Sequence, residues 1–192
     1  MYTQEHIDKI GNTIVYLTSH IDKVSKTKLL KLIYILDEIS IKTNGLPFLN
    51  LEYKVWKFGP VANDIFVELS SSPSLLKGFI KTEILNGHSY IKPAKNFEDD
   101  EFTLMEMDLL DYVVESFGDV DADKLISLTH RKKSPWYNAA VKNNVLELLE
   151  AEKISTTEIV INMGELVEYD ERKKNIYLDF LEICNHKTSS IH

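Results

Sequence analysis

Residues 27–41, TKLLKLIYILDEISI, form a helical pattern whose apolar side chains cover most of the helix circumference. Such a helix must be covered on nearly all sides, so we expect a central, buried helix that begins near Ser25. Asn44-Gly45, with Pro47 just beyond, predicts its C-terminal end. With 192 residues, of which 44% are hydrophobic, the chain can build one real core. The predicted fold class is mainly α: a compact multi-helix single domain.

Further helices are predicted from their ends and their periodicity. Residues 103–106, Thr-Leu-Met-Glu, form a capping box that opens a helix ending at Gly118. Ser134-Pro135 is an N-cap and N1 pair that opens one helix through residues 136–153, and a final helix is expected over residues 165–185. An N-terminal helix is predicted by apolar residues at spacings of three and four: Ile7, Ile10, Ile14, Leu17 and Ile21.

The β structure is expected to be limited to one small hairpin at about residues 79–92. Asn86-Gly87 lies between two short apolar runs there and favours the type I′ turn of a two-residue hairpin. Residues 51–58 alternate weakly and are rich in aromatics, which fits either a short strand or an extended connection. Pro60 suits the first turn of a helix, where its missing N–H costs nothing.

Cysteine usage and hydropathy point to a cytoplasmic protein. Cys184 is the single cysteine, so no internal disulfide or cysteine-based metal site can form within the chain. The N-terminus, MYTQEHIDKIGNTIVYL, carries acids and no apolar h-region, so we expect no signal peptide. No uncharged apolar run approaches the roughly 18–20 residues of a membrane span. We therefore expect no membrane partner.

Negative charge is concentrated in one segment. Residues 97–123 contain 11 acids and no Lys or Arg, in a chain whose net charge is −8. The resulting repulsion disfavours nucleic acid as a partner. We hypothesise that this acidic segment steers a basic partner towards the chain. Such steering raises the association rate more than the affinity. Two small basic groups are interpreted as solvated faces: Lys23, Lys26, Lys28 and Lys31, and Arg131, Lys132 and Lys133.

His130, in SLTHRKKSPW, is the histidine to weigh as a catalytic base. Ser127, Thr129 and Asp123 are close to it in sequence, but no known fingerprint joins them. The alternative is a histidine that satisfies backbone groups at a helix end or packs on Trp136. The chain has no dinucleotide-binding, P-loop, nucleophile-elbow or EF-hand pattern. We expect no catalytic residue, no metal and no cofactor.

Three motifs occur in a fixed order along the chain: Lys28–Tyr34 with Gly45, Trp56–Val61, and Leu125–His130 with Pro135-Trp136. They read KLLKLIY, WKFGPV and LISLTH. Together they resemble the Panacea domain, the SocA-like antitoxin domain that is also found in phage-associated GepA-like proteins. The resemblance spans roughly residues 7–161, and the order and separation of the three motifs carry it.

The resemblance implies a Panacea domain over residues 1–163, followed by a C-terminal helical extension over 164–192 that packs on it and ends in a frayed tail. It implies an antitoxin that neutralises a cognate toxin by direct protein–protein binding. An alternative is a proteolytic adaptor that delivers the toxin to a ClpXP-type protease. A less favoured alternative is an uncharacterised enzyme centred on His130. No oligomeric state is predicted.

The residues that carry the family motifs are also the candidates for a partner surface: Trp56, Phe58, Gly59, Pro60, Val61, Thr129, His130, Pro135 and Trp136. Gly59-Pro60 favours a tight corner, and we expect it to place Phe58 in the core under the following helix. For Trp56 and Trp136, burial in the core and exposure to a partner stay equally open.

Overall fold

The computed structural model describes residues 2–70 and 73–189, which contain eight α-helices, one 3-10 helix and four strands. The helices are α1 Gln4–His20, α2 Lys26–Asn44, α3 Asn63–Glu68, α4 Leu104–Phe117, α5 Ala122–Thr129, α6 Pro135–Lys142, α7 Leu146–Glu150 and α8 Glu171–Ser189, with the 3-10 helix Met163–Val167 before α8. The strands are β1 Tyr53–Trp56, β2 Gly59–Ala62, β3 Ile80–Leu85 and β4 His88–Pro93. The fold is mainly α, as predicted, with more sheet than the single hairpin expected.

The central helix of the fold is α2, as its apolar circumference predicts. It contacts α4, α5, α8, the 3-10 helix and β2. The Ser25 hydroxyl caps its N-terminus by accepting a hydrogen bond from the Lys28 N–H, and Gly45 ends it with a φ of 84°. Its fully buried side chains form the middle of the core: Leu29, Leu32, Ile33, Tyr34 and Leu36.

Helix α4 packs on α1 and α2 and has the predicted capping box. The Thr103 hydroxyl accepts from the Glu106 N–H, while the Glu106 carboxylate accepts from the Thr103 N–H at 2.9 Å. Leu110 and Val113 face the core, and the helix ends next to Gly118 as predicted. Local sequence signals therefore fix both ends of α4.

The predicted hairpin is present as β3 and β4, which pair in antiparallel register around Asn86-Gly87. Both turn residues have positive φ, 51° and 79°, as a type I′ turn requires. This hairpin packs mainly on α1.

A second hairpin, formed by β1 and β2, corrects the prediction that Pro60 opens a helix. Pro60 lies in β2 opposite Val55, and α3 begins three residues later at Asn63. The other edge of β1 is hydrogen-bonded to the segment 155–161; for example, the Val55 N–H donates to the Ile159 carbonyl at 2.9 Å. β2 is thus an edge strand, where a proline without an N–H is tolerated.

The C-terminal region departs from the prediction in two places. The helix expected over 136–153 is broken between α6 and α7, where Asn144 takes a positive φ of 57°. The helix expected from residue 165 begins as a 3-10 turn, and α8 starts only at Glu171. One stripe of α8 is half-buried: Ile176, Tyr177, Phe180, Leu181 and Cys184.

α8 contacts α2 and the 3-10 helix, while residues 190–192 of the expected frayed tail lie outside the described residues. In residues 2–70 and 73–189, no helix combines the length and the apolar character that crossing a membrane requires.

Candidate functional site: the β1–β2 corner and the α5–α6 junction

The tip of the β1–β2 hairpin presents an aromatic side chain to solvent. Lys57 and Phe58 form the turn, and the Lys57 Nζ lies 4.8 Å from the centroid of the Phe58 ring. Phe58 is 55% exposed. The expectation that Phe58 packs in the core is therefore wrong, because the two-residue turn leaves it at the tip, beyond the last strand pair of Trp56 and Gly59.

Gly59 allows the hairpin to approach α2 and α5 closely. Its φ is +93°, which L side chains rarely adopt. A Cβ at this position would lie 2.6 Å from the Thr129 Oγ1 and 3.1 Å from the Lys31 Cε. The glycine of the Gly-Pro motif is therefore required by backbone conformation and by space.

Lys31 is buried against the hairpin, with only 1% of its surface exposed. Its Nζ donates a hydrogen bond to the Pro60 carbonyl at 2.6 Å. Burial lowers the pKa of Lys31 to about 7. The interpretation of Lys31 as part of a solvated basic face is therefore wrong, because this lysine joins α2 to β2.

The two tryptophans connect the second motif to the third. The Trp136 Nε1 donates to the Trp56 carbonyl at 3.0 Å, and the Trp136 side chain is buried. The Trp56 Nε1 donates to the Thr157 carbonyl at 3.2 Å, and its ring packs edge-to-face on Phe66. Of the two alternatives left open, Trp136 is placed in the core, while Trp56 is half-buried and keeps part of its surface accessible.

The remaining motif residues build the junction between α5 and α6. The Ser134 hydroxyl donates to the Thr129 carbonyl at 2.8 Å and accepts from the Tyr137 N–H at 3.1 Å. Pro135 occupies the first turn of α6, as predicted from Ser134-Pro135, and its side chain is buried. Thr129 and Val61 are also buried. Most motif residues thus hold the corner together and are not accessible to another protein.

His130 stacks face-to-face on Trp136, with ring centroids 3.7 Å apart and an interplanar angle of 7°. Burial lowers the pKa of His130 to about 4, and the positive charge of Lys31 adds to this effect. The imidazole is therefore neutral at physiological pH. Its Nε2 is buried and has no hydrogen-bond partner among the described residues.

The hydroxyls near His130 in sequence are already used within α5. The Ser127 Oγ donates to the Asp123 carbonyl at 3.0 Å, and the Thr129 Oγ1 donates to the Ile126 carbonyl at 2.8 Å. Neither hydroxyl donates to His130, so the arrangement does not form a nucleophile–base pair. In the part of the chain that the structure describes, no group of three or more His, Cys, Asp or Glu could hold a metal ion.

A buried carboxylate beside the corner, with two ion-pair partners that are partly exposed, was missed by sequence reasoning. The Glu38 carboxylate of α2 is ion-paired with both Arg131 and Lys42, and its side chain is only 6% exposed. Glu38 and Lys31 both lie in α2, whose circumference is mostly apolar. Charged residues inside an apolar helical pattern were the available signal, because a buried charge needs a partner.

The acidic segment 97–123 is largely uncompensated. Within the described residues, Glu98 and Glu106 are ion-paired with Lys95 and Lys9, and the other nine acids have no ion pair. Several of these nine lie on α4 and on its connection to α5. The segment therefore forms a negative surface on the α4 side of α2.

Comparison with known proteins places these motifs in a family. Residues 29–137 match the family model described as "Antitoxin SocA-like, Panacea domain". Antitoxin SocA of Caulobacter vibrioides (strain NA1000 / CB15N) is 26% identical over 116 residues, which make up 59% of this chain and 58% of that relative. No solved structure matches the chain. Since the family model covers more than half of the chain, including most of α2, both strands of the β1–β2 hairpin and the start of α6, the chain belongs to the SocA-like antitoxin family with the Panacea domain.

Proposed function

We propose that this chain is an antitoxin that neutralises a cognate toxin by direct protein–protein binding. The observation that carries the proposal is the family match over residues 29–137, which contains the three motifs except for Lys28, the first residue of the first one. A relative bears the name Antitoxin SocA, and the chain spans 58% of that relative's length. The toxin is the implied partner.

The chemistry of the corner favours binding over catalysis. His130 is neutral and stacked on Trp136, and the neighbouring hydroxyls of Ser127 and Thr129 donate within their own helix. An acyl-transfer or hydrolytic site needs a nucleophile in reach of a base, together with an orienting group for the base. The corner instead resembles a rigid support for an exposed aromatic tip.

The proposed partner surface is the tip of the β1–β2 hairpin. Phe58 is exposed on a turn whose backbone is held on both sides. Gly59 is paired with Trp56 in the hairpin, and the Lys57 N–H donates to the Ser155 carbonyl at 2.8 Å. An aromatic anchor on a rigid scaffold loses little conformational entropy on binding. Trp56 adds partly accessible aromatic surface beside it.

Co-expression with the product of the adjoining reading frame tests the function. Growth arrest by the neighbour alone, with rescue by this chain in a stable complex, is the expected result. Rescue in which the neighbour disappears would instead indicate delivery to a protease. A neighbour that is not toxic and forms no complex contradicts the proposed function.

Replacement of Phe58 by serine is expected to weaken the complex with the toxin by at least about tenfold, because the side chain is an exposed aromatic anchor. Thermal stability should change little, since more than half of the side chain is already in solvent. Ile84→Ser, which alters an exposed apolar residue in the other hairpin, is the matched control. Calorimetric titration of the purified toxin with each variant measures the two affinities. Equal affinities for the F58S and I84S variants would remove the hairpin tip from the interface.

The His130→Ala variant is expected to rescue growth as well as the parent chain does. It loses the stack on Trp136, so we expect it to be less stable by about 1 kcal/mol. Growth rescue and complex formation are scored side by side at a temperature where the variant is folded. A variant that binds the toxin normally but no longer rescues growth would favour a catalytic role for His130.

A further inference from the structure

A second accessible surface lies on the other side of α2, between its C-terminal half and α4. It is a groove of about 480 Å³ lined by Ile39, Thr43, Met105, Asp108, Leu109 and Tyr112. This α2–α4 groove shares no residue with the corner of the three motifs. It needs an explanation of its own, because the packing of the core does not require it.

Helix α4 is apolar on two faces. Leu110 and Val113 point into the core, which accounts for the first face. Met105, Leu109 and Tyr112 follow at spacings of four and three, so they form a second stripe that borders the groove, in which the half-buried Leu109 also packs against the core. Met105 is 65% exposed and Tyr112 is 51% exposed. A solvated helix does not need this second stripe, whereas a docking surface does.

The charged residue that lines the groove is acidic. Asp108 lines it, and Glu115 follows on the exposed side of α4, whereas the Asp111 carboxylate accepts a hydrogen bond from the Tyr16 hydroxyl of α1. Neither Asp108 nor Glu115 has an ion pair within the described residues. Lys42, next to the α2 wall, is engaged with Glu38. An apolar groove beside uncompensated carboxylates complements a ligand that carries apolar residues and Lys or Arg together.

We propose that the α2–α4 groove docks a basic amphipathic helix of the toxin. A helix is the fitting shape, because two helices form the walls and the groove offers no strand edge for β pairing. The apolar stripe of the incoming helix covers Met105, Leu109 and Tyr112, and its Lys or Arg residues face Asp108 and Glu115. This inference rests on the proposed antitoxin function and assigns to it a second contact surface.

Two synthetic helical peptides of about 18 residues test the groove directly. Both carry the same leucine stripe, and their polar positions are all Lys in one and all Glu in the other. Fluorescence anisotropy with the full chain at low salt is expected to show the Lys peptide binding at least about tenfold more tightly than the Glu peptide. Equal binding of the two peptides would overturn the proposal.

Variants locate the binding site of the Lys peptide. M105S/Y112S removes apolar wall, and D108N/E115Q removes charge without adding bulk. Each is expected to weaken binding about tenfold, and the second should also reduce the dependence on salt. The controls are I84S for an exposed apolar residue and E147Q/E150Q for two exposed acids on α7. Losses that are as large in the controls as in the groove variants would mean non-specific attraction and overturn the proposal.

Co-expression with the toxin separates this inference from the function on which it rests. If the parent chain rescues growth and the M105S/Y112S variant does so with an undiminished complex, the groove is not used and the antitoxin function stands. If the parent chain itself neither binds nor rescues, the proposed function fails. Loss of the complex in the groove variants, with rescue by the parent chain, supports both. Circular dichroism verifies that each variant is folded.

Discussion

Replacement of Asp37 by alanine is expected to lower the free energy of unfolding by about 3–5 kcal/mol. Asp37 is buried on α2, and its carboxylate accepts hydrogen bonds from the Leu49 N–H at 2.6 Å and the Tyr53 hydroxyl at 2.7 Å. The Asn50 N–H donates to it as well, at 3.3 Å. Alanine would leave the Leu49 and Asn50 N–H groups without this acceptor, and the Tyr53 hydroxyl would keep only the Ile33 carbonyl at 3.3 Å.

The loss should reach the candidate site, because Asp37 fixes the chain that leads into β1. Tyr53 is the first residue of β1, and the hairpin that begins there carries Phe58 at its tip. Tyr53→Phe removes one of the bonds to Asp37, and its expected cost is smaller, at about 1–2 kcal/mol. Because Asp37 supports the hairpin that carries Phe58, the Asp37→Ala variant should lose toxin binding at temperatures where the parent chain still binds.

Urea unfolding followed by circular dichroism measures these differences, and Asp179→Ala on the exposed side of α8 is the matched control. The control is expected to stay within about 0.5 kcal/mol of the parent chain. An Asp37→Ala variant as stable as the Asp179→Ala control would mean that the Phe48–Leu51 loop is not held by this carboxylate.

Local signals in the sequence were enough for much of the fold. The ends of α2 and α4, and the β3–β4 turn at Asn86-Gly87, depend on residues a few positions apart. Capping and turn chemistry act over that range, so a single sequence suffices to predict them. The buried position of α2 followed from its apolar circumference alone.

The parts that were missed or left open depend on contacts between distant residues. Residues 51–58 fitted a strand or an extended connection, and β1 forms there because it pairs with β2 on one edge and with the segment 155–161 on the other. The pairing places Pro60 in an edge strand. Local sequence gave Pro60 a good helical alternative, and tertiary pairing overrode it. The exposure of Phe58 follows from that same hairpin.

The candidate site shows the same division. The motif residues were identified from their order along the chain, but their burial was not predictable from neighbours in sequence. The partners that allow the charges of Lys31 and Glu38 to be buried are distant in sequence. Lys31 donates to the carbonyl of Pro60, 29 residues away, and Glu38 is paired with Arg131, 93 residues away. Charge alone suggested solvent exposure, and only the tertiary fold supplies the partners.

Replacement of Lys31 by methionine is expected to change how stability depends on pH. Burial lowers the pKa of Lys31 to about 7 in the folded chain, whereas an unfolded lysine titrates near 10.4. Between these values the unfolded chain binds more protons than the folded chain, so the free energy of unfolding rises with pH. Below about pH 7 the lysine is protonated in both states, so its contribution no longer changes with pH, and the cost of burying its charge is fully present.

The parent chain is therefore expected to gain about 2–3 kcal/mol over Lys31→Met between about pH 7 and pH 9. His130, which lies close enough to feel the charge of Lys31, does not titrate in this window, because its pKa is about 4. At pH 9 the neutral amine still donates to the Pro60 carbonyl, whereas methionine leaves that carbonyl unpaired, so the variant is the less stable protein there. Near pH 6 the variant should be as stable as the parent chain or more so, because it buries no charge.

Urea titrations of both proteins at each pH, with the exposed Lys81→Met as control, measure the difference. Parallel stability curves for the parent chain and Lys31→Met from pH 6 to pH 9 would show that Lys31 keeps the same charge when the chain folds.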